Sequence, residues 1–216
     1  MSDLRGRDTL LRYSADVRTN HWLNAICFVL AALSGLALFH PALFWFSNLF
    51  GGGPWTRILH PFFGLFMLLL FLALSARVWG ENHFAPADWQ WLRQWRDVVG
   101  NREERLPEVG RYNAGQKLVF FVVVGCLLVL FMTGLTMWRS YFSLPAAIVR
   151  PASALHAISA LVLICTILVH IYAGFWVRGS MHAMLRGTVT PGWAWTHHRA
   201  WFRQITHASH PRTGSD

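Results

Sequence analysis

Charge is scarce in this chain. Charged residues make up 13% of its 216 positions and hydrophobic residues 54%, whereas a soluble domain carries about 25% charged residues. From Pro151 to Val177 there is no Asp, Glu, Lys or Arg, and the same holds for 19–56, 58–76 and 118–138. Cysteine is scarce as well. Cys27, Cys126 and Cys165 all lie inside apolar stretches, too far apart for a zinc motif, and read as reduced packing residues. The absence of any C-x-x-C-H motif excludes a covalently attached c-type haem. The charged N-terminus from Asp3 to Arg18 holds no short apolar run with a small-residue cleavage site, so a cleaved signal peptide is not expected. There is no internal repeat and no low-complexity segment. One compositional pattern over 1–216 predicts a single membrane domain.

The bare stretches define four expected spans, 19–39, 57–78, 115–138 and 151–177, each near the ~20 residues that a membrane helix needs. Trp22, Trp79, Trp138 and Trp176 fall at span ends, as an aromatic belt requires. His40-Pro41 and Ser47 to Pro54, with three glycines, read as a turn-rich loop. The fold class is therefore all-α: a four-transmembrane-helix bundle. Sixteen of the nineteen basic residues lie in the N-terminal segment, the connection between spans two and three, and the tail 179–216 with its leading Arg178. Only Arg57, Arg139 and Arg150 lie on the other side. The positive-inside rule then places both termini and the tail in the cytoplasm. The sequence pI of about 10.7 reflects that topology and contact with anionic lipid, not nucleic acid.

Histidine carries the chemistry. His156 and His170 share the fourth span, fourteen positions apart. Fourteen residues rise about 21 Å and return to within roughly 40° of one helical face. An ionisable side chain in hydrocarbon is expensive and defaults to a functional reading. Two lone histidines bonded to neighbouring helices are the plainer account, unless other spans supply partners at the same depths. They do. His21 starts the outward-running first span and His60 starts the inward-running second, so depth pairs His21 with His170 on the inner side and His60 with His156 on the outer. Bis-imidazole ligation suits a low-spin b-type haem, and a four-helix core is a usual place for such ligands.

Other residues leave alternatives open. Gly35, fourteen positions after His21, leaves room for a porphyrin at outer depth or simply permits close helix packing. His40 is the rival for the outer site but sits in the interface. His40, His83 and His182 read as solvated. Trp91, Leu92, Trp95, Val98 and Val99 suit an amphipathic helix at the lipid boundary, or equally one docked on another subunit. The tail mixes Trp193, Trp195 and Trp201 with His197, His198, His207 and His210, at spacings that match no standard metal site. It reads as facing lipid or a partner. Asn113 and Gln116, with Gly115 between them, stand just before the third span and offer uncharged amides. Taken alone, such residues are more often helix caps.

Three blocks are more specific: Arg57-Ile-Leu-His-Pro-Phe-Phe-Gly64, Gly110-Arg-Tyr-Asn-Ala-Gly-Gln-Lys117 and Val169-His-Ile-Tyr-Ala-Gly-Phe-Trp-Val-Arg-Gly-Ser180. With them the chain resembles the di-haem cytochrome b (gamma) subunit of respiratory formate dehydrogenase, of the N/O type, from about Arg18 to Arg203. The resemblance is least over Gly80 to Asp88 and in the last tail. It implies two haem b, the inner on His21 and His170 and the outer on His60 and His156. It also implies a quinone (menaquinone or ubiquinone) at Asn113, Gly115 and Gln116 beside His170. A molybdenum-containing catalytic subunit would oxidise formate outside the bacterial cytoplasmic membrane. An iron–sulfur subunit would pass the electrons on, and quinone would be reduced at the cytoplasmic side, in a complex able to form higher oligomers. Arg57 and Arg150, at outer depth, are either propionate partners or ordinary loop arginines. The short, nearly charge-free outer loops, 51–57 and 138–150, are expected to dock the iron–sulfur subunit. Two alternatives stay open. One is the cytochrome b anchor of another quinone-linked oxidoreductase, such as a hydrogenase, a thiosulfate/polysulfide reductase or a superoxide-linked enzyme. The other is a haem-free transporter or anchor.

Overall fold

The structure is a computed structural model that describes residues 9–138 and 141–208. Arg5, Arg7, Arg139, His210 and Arg212 lie outside the described residues. In chain order the elements are β1 (Leu10–Leu11), α1 (Ala15–Phe39), a 3-10 segment (Pro41–Phe50), α2 (Gly53–Val78), α3 (Pro86–Arg93), α4 (Trp95–Val99), α5 (Ala114–Met137), α6 (Ala146–Trp176), α7 (Ser180–Arg186), β2 (Thr188–Val189), α8 (Pro191–His197) and α9 (Arg199–Ala208), with two further single 3-10 turns between α2 and α5. Helices α1, α2, α5 and α6 are long and apolar enough to cross a membrane. They overlap the four expected spans and begin earlier. α2 starts four residues before Arg57, and α6 takes in both Arg150 and Pro151. A span ends where charge appears, but a helix runs on into the polar interface as long as its backbone bonds close.

The chain divides into two compact units, Thr19–Arg77 with Phe121–Ile171, and the described parts of Met1–Arg18, Val78–Phe120 and Tyr172–Asp216. The first, helical unit is inverted relative to a soluble core. Its buried side chains include Ser34, Thr56, Ser75, Asn24, Thr133 and Ser159, while Leu161, Leu168 and Ile158 are exposed. A polar interior within an apolar surface is what hydrocarbon solvent selects, because hydroxyls and amides there must find partners inside the protein. The helices meet through those polar residues. Ser34 joins α1 to α2, and Thr133 joins α5 to α6. His21 faces α6, and His60 faces α6 from α2. After the 3-10 segment, Gly51 and Gly52 take φ of 84° and 94°, a left-handed turn open to glycine that brings the chain into α2.

The second, terminal unit joins the two ends of the chain. β1 and β2 pair antiparallel, Leu10 opposite Val189 and Leu11 opposite Thr188. Leu10, Ala183, Val189, Ala194 and Trp201 form its buried core, so the C-terminal segment folds back on the N-terminal one and leaves Trp195 exposed. The Arg12 guanidinium is buried over the Trp201 ring at 4.4 Å, donates to the Arg111 carbonyl, and leaves Nε and Nη1 without a partner. His198 accepts from Arg12 Nη2 at 3.3 Å and donates its Nδ1–H to the Gly110 carbonyl at 2.8 Å. Burial, with Arg12 beside it, lowers His198 to about 3, so the ring is neutral at ordinary pH. Lys117, at the start of α5, is buried too. Its Nζ lies 2.7 Å from Asp88 and donates to the His83 carbonyl at 2.9 Å, while Asp88 also accepts from the Ala85 N–H. A buried ion pair of this kind holds only because each charge keeps further hydrogen bonds.

Candidate functional site

The four span histidines come together as two pairs. The His21 and His170 rings have centres 6.2 Å apart with planes at 51°, and the His60 and His156 rings have centres 6.2 Å apart at 70°. His21, His60 and His156 are half-buried, and His170 is more open. An imidazole–metal bond is about 2 Å long, and the ligating nitrogen sits about 1.2 Å from its ring centre. Two imidazoles on opposite sides of one ion therefore have ring centres about 6 Å apart. Both pairs stand at that separation. Among the described residues no three His, Cys, Asp or Glu side chains converge. Two neutral imidazoles alone are a poor cage for a bare ion, which wants about four ligands. They are a complete axial set for a planar macrocycle that brings its own equatorial nitrogens.

The His60–His156 level is fully furnished. His60 Nδ1 lies 2.9 Å from Ser34 Oγ, and Ser34 Oγ donates its single hydrogen to helical carbonyls, with Leu30 O at 2.7 Å. Thr133 repeats the arrangement, 2.9 Å from His156 Nδ1 and 2.7 Å from Val129 O. A hydroxyl that has spent its hydrogen on a carbonyl can only accept from the ring. Nδ1 therefore carries the proton in both histidines, and Nε2 keeps its lone pair, the tautomer a metal needs. Each hydroxyl residue is followed by glycine. A Cβ on Gly35 would stand 3.1 Å from His60 Cε1, and one on Gly134 would stand 3.6 Å from His156 Cε1. Gly35 thus makes room for the imidazole itself. Arg57 and Arg150 are exposed in the early turns of α2 and α6, ahead of His60 and His156.

The His21–His170 level is not furnished in this way. His21 Nδ1, Asn20 Oδ1, Asn24 Nδ2 and Ser75 Oγ are buried without a hydrogen-bond partner. Asn24 is 8% exposed and Ser75 6%. Buried polar atoms without partners are rare in native proteins and call for a group that satisfies them. The start of α1's apolar stretch and the end of α2 thus carry buried polar atoms that the described residues leave unpaired. Both levels fit a macrocycle on two imidazoles: one by donor geometry and cleared space, the other by ring spacing and unpaired polar atoms.

Asn113 and Gln116 form a reciprocal cap at the start of α5. The Asn113 carbonyl oxygen accepts from the Gln116 N–H at 2.9 Å, and that of Gln116 accepts from the Asn113 N–H at 3.0 Å. Their oxygens are committed, which leaves the two NH2 groups as the atoms able to donate to a ligand. A Cβ on Gly115 would stand 3.2 Å from Trp91 Cη2, so this glycine seats α3 against the start of α5. His40 is exposed and its Nδ1 accepts from the Ala42 N–H as a cap; His83 and His182 are exposed. His197 pairs with Glu103 at 2.5 Å, and His207 is exposed. Sequence reasoning missed Ser34 and Thr133. The available signal was a hydroxyl–glycine dipeptide at the depth of His60 and again at the depth of His156.

Known proteins are similar to this chain in sequence. Residues 12–187 match the prokaryotic cytochrome b561 family. The cytochrome b556(fdo) subunit of formate dehydrogenase from Escherichia coli (strain K12) is 42% identical over 205 residues, covering 94% of this chain and 96% of that one. The cytochrome b556(Fdn) subunit of the nitrate-inducible formate dehydrogenase of the same organism is 39% identical over 193 residues, covering 88% and 89%. A formate dehydrogenase cytochrome b556 subunit from Haemophilus influenzae is 36% identical over 197 residues, covering 90% and 83%.

Proposed function

The chain belongs to the prokaryotic cytochrome b561 family, and from that premise we propose that it is the membrane cytochrome b subunit of a formate dehydrogenase, holding two b haems and passing electrons to a quinone. It is a multi-pass protein of the bacterial inner membrane. The observation that carries the reading is the pair of imidazole pairs, each with ring centres 6.2 Å apart, on a four-helix scaffold. His60 and His156 hold one haem and His21 and His170 the other. Haem supplies one-electron redox chemistry when bound, and the protein supplies ligands, spacing and a low-dielectric path.

The remaining roles follow from the positions of the chain's own residues. The distribution of basic residues supports a cytoplasmic location for both termini, and with them for the N-terminus of α5. His60 and His156 then lie at the outer depth, where an iron–sulfur subunit bound to a molybdenum-containing catalytic subunit delivers electrons. The loops 51–57 and 138–150 dock that partner; Arg57 and Arg150 offer cations there for the propionates. Asn113 and Gln116 hold quinone by their amide NH2 groups on the cytoplasmic side, near the depth expected for His170, so protons for its reduction come from the cytoplasm. Moving an electron inward against the membrane potential costs about 2.3 kcal/mol per 100 mV, which the formate-to-quinone drop has to exceed.

The test is haem stoichiometry in the purified complex. Two haems per chain are expected by pyridine haemochrome, with His60→Ala and His21→Ala each losing a different one and His40→Ala keeping both. One haem or none in the unmodified protein overturns the reading, as does purification of the chain without a large molybdenum and iron–sulfur partner.

A further inference from the structure

The hydroxyl–glycine steps Ser34-Gly35 and Thr133-Gly134 do more than pack helices. We propose that Ser34 and Thr133 are positioning residues for the His60–His156 level. They select its ligand tautomer, fix its two ring planes, and hold the haem there at a lower reduction potential than the haem at the His21–His170 level. The proposal rests on the reading that both levels hold haem.

The geometry is repeated on two helices. On α1 and on α5, a hydroxyl donates to a carbonyl four residues back at 2.7 Å and accepts from an imidazole Nδ1 at 2.9 Å. In each case the next residue is a glycine, where an added Cβ would stand within 3.6 Å of Cε1 of the same ring. Ser34 is fully buried and Thr133 is 7% exposed, so both bonds are largely shielded from solvent. A hydroxyl already donating to a carbonyl is polarised into a better acceptor. An acceptor on Nδ1–H makes the ring a stronger donor through Nε2. Stronger donation from both axial ligands stabilises the more positive oxidation state of bound iron, and so lowers its potential. At the other level His21 Nδ1 has no such acceptor. The hydrogen-bond asymmetry therefore orders the two potentials, with electrons running downhill from His60–His156 to His21–His170. That is the direction the membrane potential opposes, and it gives a structural source for part of the drive.

The test uses the intact membrane complex, with haem content measured first. Ser34→Ala, Thr133→Val and the double variant are titrated potentiometrically, following the haem optical bands and the low-spin resonance signals. The haem missing in His60→Ala identifies the level. The double variant is expected to shift that haem's oxidised/reduced equilibrium about tenfold toward the reduced form, which is about 59 mV for one electron. The second haem stays put, and Ser34→Thr with Thr133→Ser restores the starting potential. Loss of that haem in the double variant but not in the hydroxyl-conserving variants also supports the role. Unchanged potentials with both haems present overturn it, and so does haem loss that hydroxyl-conserving variants share. Absence of two haems in the unmodified complex is a failure of the reading beneath, not of this proposal.

Discussion

The two histidine levels look alike in ring spacing and differ in everything around the rings. At His60–His156 the Nδ1 of each histidine has a hydroxyl partner, and each hydroxyl is itself satisfied. At His21–His170 the chain leaves four buried polar atoms without partners on His21, Asn20, Asn24 and Ser75. On the proposed reading, one level is preorganised before haem binds and the other is completed by the haem. Preorganisation lowers the ordering cost of binding and holds ligand geometry. Unpaired buried groups do the opposite to the empty protein and gain their partners on loading. If both levels take haem as proposed, the same ligand type is held by two physical strategies within one unit.

The sharpest break in that comparison comes from the glycines. Gly35→Ala puts a methyl 3.1 Å from His60 Cε1, closer than the ring tolerates without shifting, whereas Gly134→Ala meets His156 Cε1 at an ordinary 3.6 Å. Overpacking of a fixed site costs about 1–3 kcal/mol, or roughly five- to 150-fold in affinity. Gly35→Ala is expected to lose most of the haem at the His60–His156 level on purification, taking the chain from two haems toward one, while Gly134→Ala keeps both. Equal retention in the two variants would mean that Gly35 serves helix packing alone.

An effect of similar size and opposite sign on the empty protein is expected at the other level. Asn24→Leu removes a buried amide whose Nδ2 has no partner. An unsatisfied buried donor costs about 1–3 kcal/mol, so the variant should unfold later than the parent when both are stripped of haem. If the amide is completed by the bound group, the same variant should retain the His21–His170 haem less tightly. Ser34→Ala, by contrast, should lose about 0.5–1.5 kcal/mol in the stripped protein, because it removes a bond that already exists. Unfolding midpoints of stripped and loaded samples separate the cases. A single sign for Asn24→Leu in both states defeats the idea that loading satisfies it.

What was legible in the sequence follows from the range of the interaction involved. The four spans could be read because hydrocarbon excludes charge over whole stretches, and the histidine pairing because span direction alternates. Three of the four helices begin four or five residues before the expected spans, since Arg18, Arg57 and Arg150 can sit in helical turns beyond the hydrocarbon. The single amphipathic helix expected around Trp91 to Val99 is two short helices broken at Gln94, with Trp91 against Gly115 and Trp95 exposed. The pairing of Leu10 with Val189 joins opposite ends of the chain and has no local signal. Lys117 was counted as one more basic residue beside a span. Its burial against Asp88 depends on α3 arriving from elsewhere in the chain. Ser34 and Thr133 were invisible for a related reason. A hydroxyl in an apolar helix usually bonds its own backbone, and only the neighbouring ring shows the second role.

The smallest expected effect concerns which level serves quinone, and the cap at α5 decides how to measure it. Replacing Asn113 or Gln116 by Leu removes the cap as well as any ligand contact, and a lost cap alone costs about 0.5–2 kcal/mol. Asn113→Asp and Gln116→Glu are the cleaner probes. Each keeps the oxygen that accepts from the partner backbone N–H and loses only the NH2 group. A carboxylate at a helix N-terminus is favourable, so the fold should hold. Losing one donor to a quinone carbonyl should weaken binding by about 0.5–1.5 kcal/mol, a rise of roughly two- to twelvefold in quinone KM. Formate should still reduce both haems at the parental rate, and only reoxidation by added quinone should slow. If the two acid variants leave quinone KM unchanged while Ser34→Ala or Thr133→Val raises it, quinone binds beside the preorganised level. The level completed by its ligand would then not be the terminal one, and the order of potentials inferred from the hydroxyls would run away from quinone.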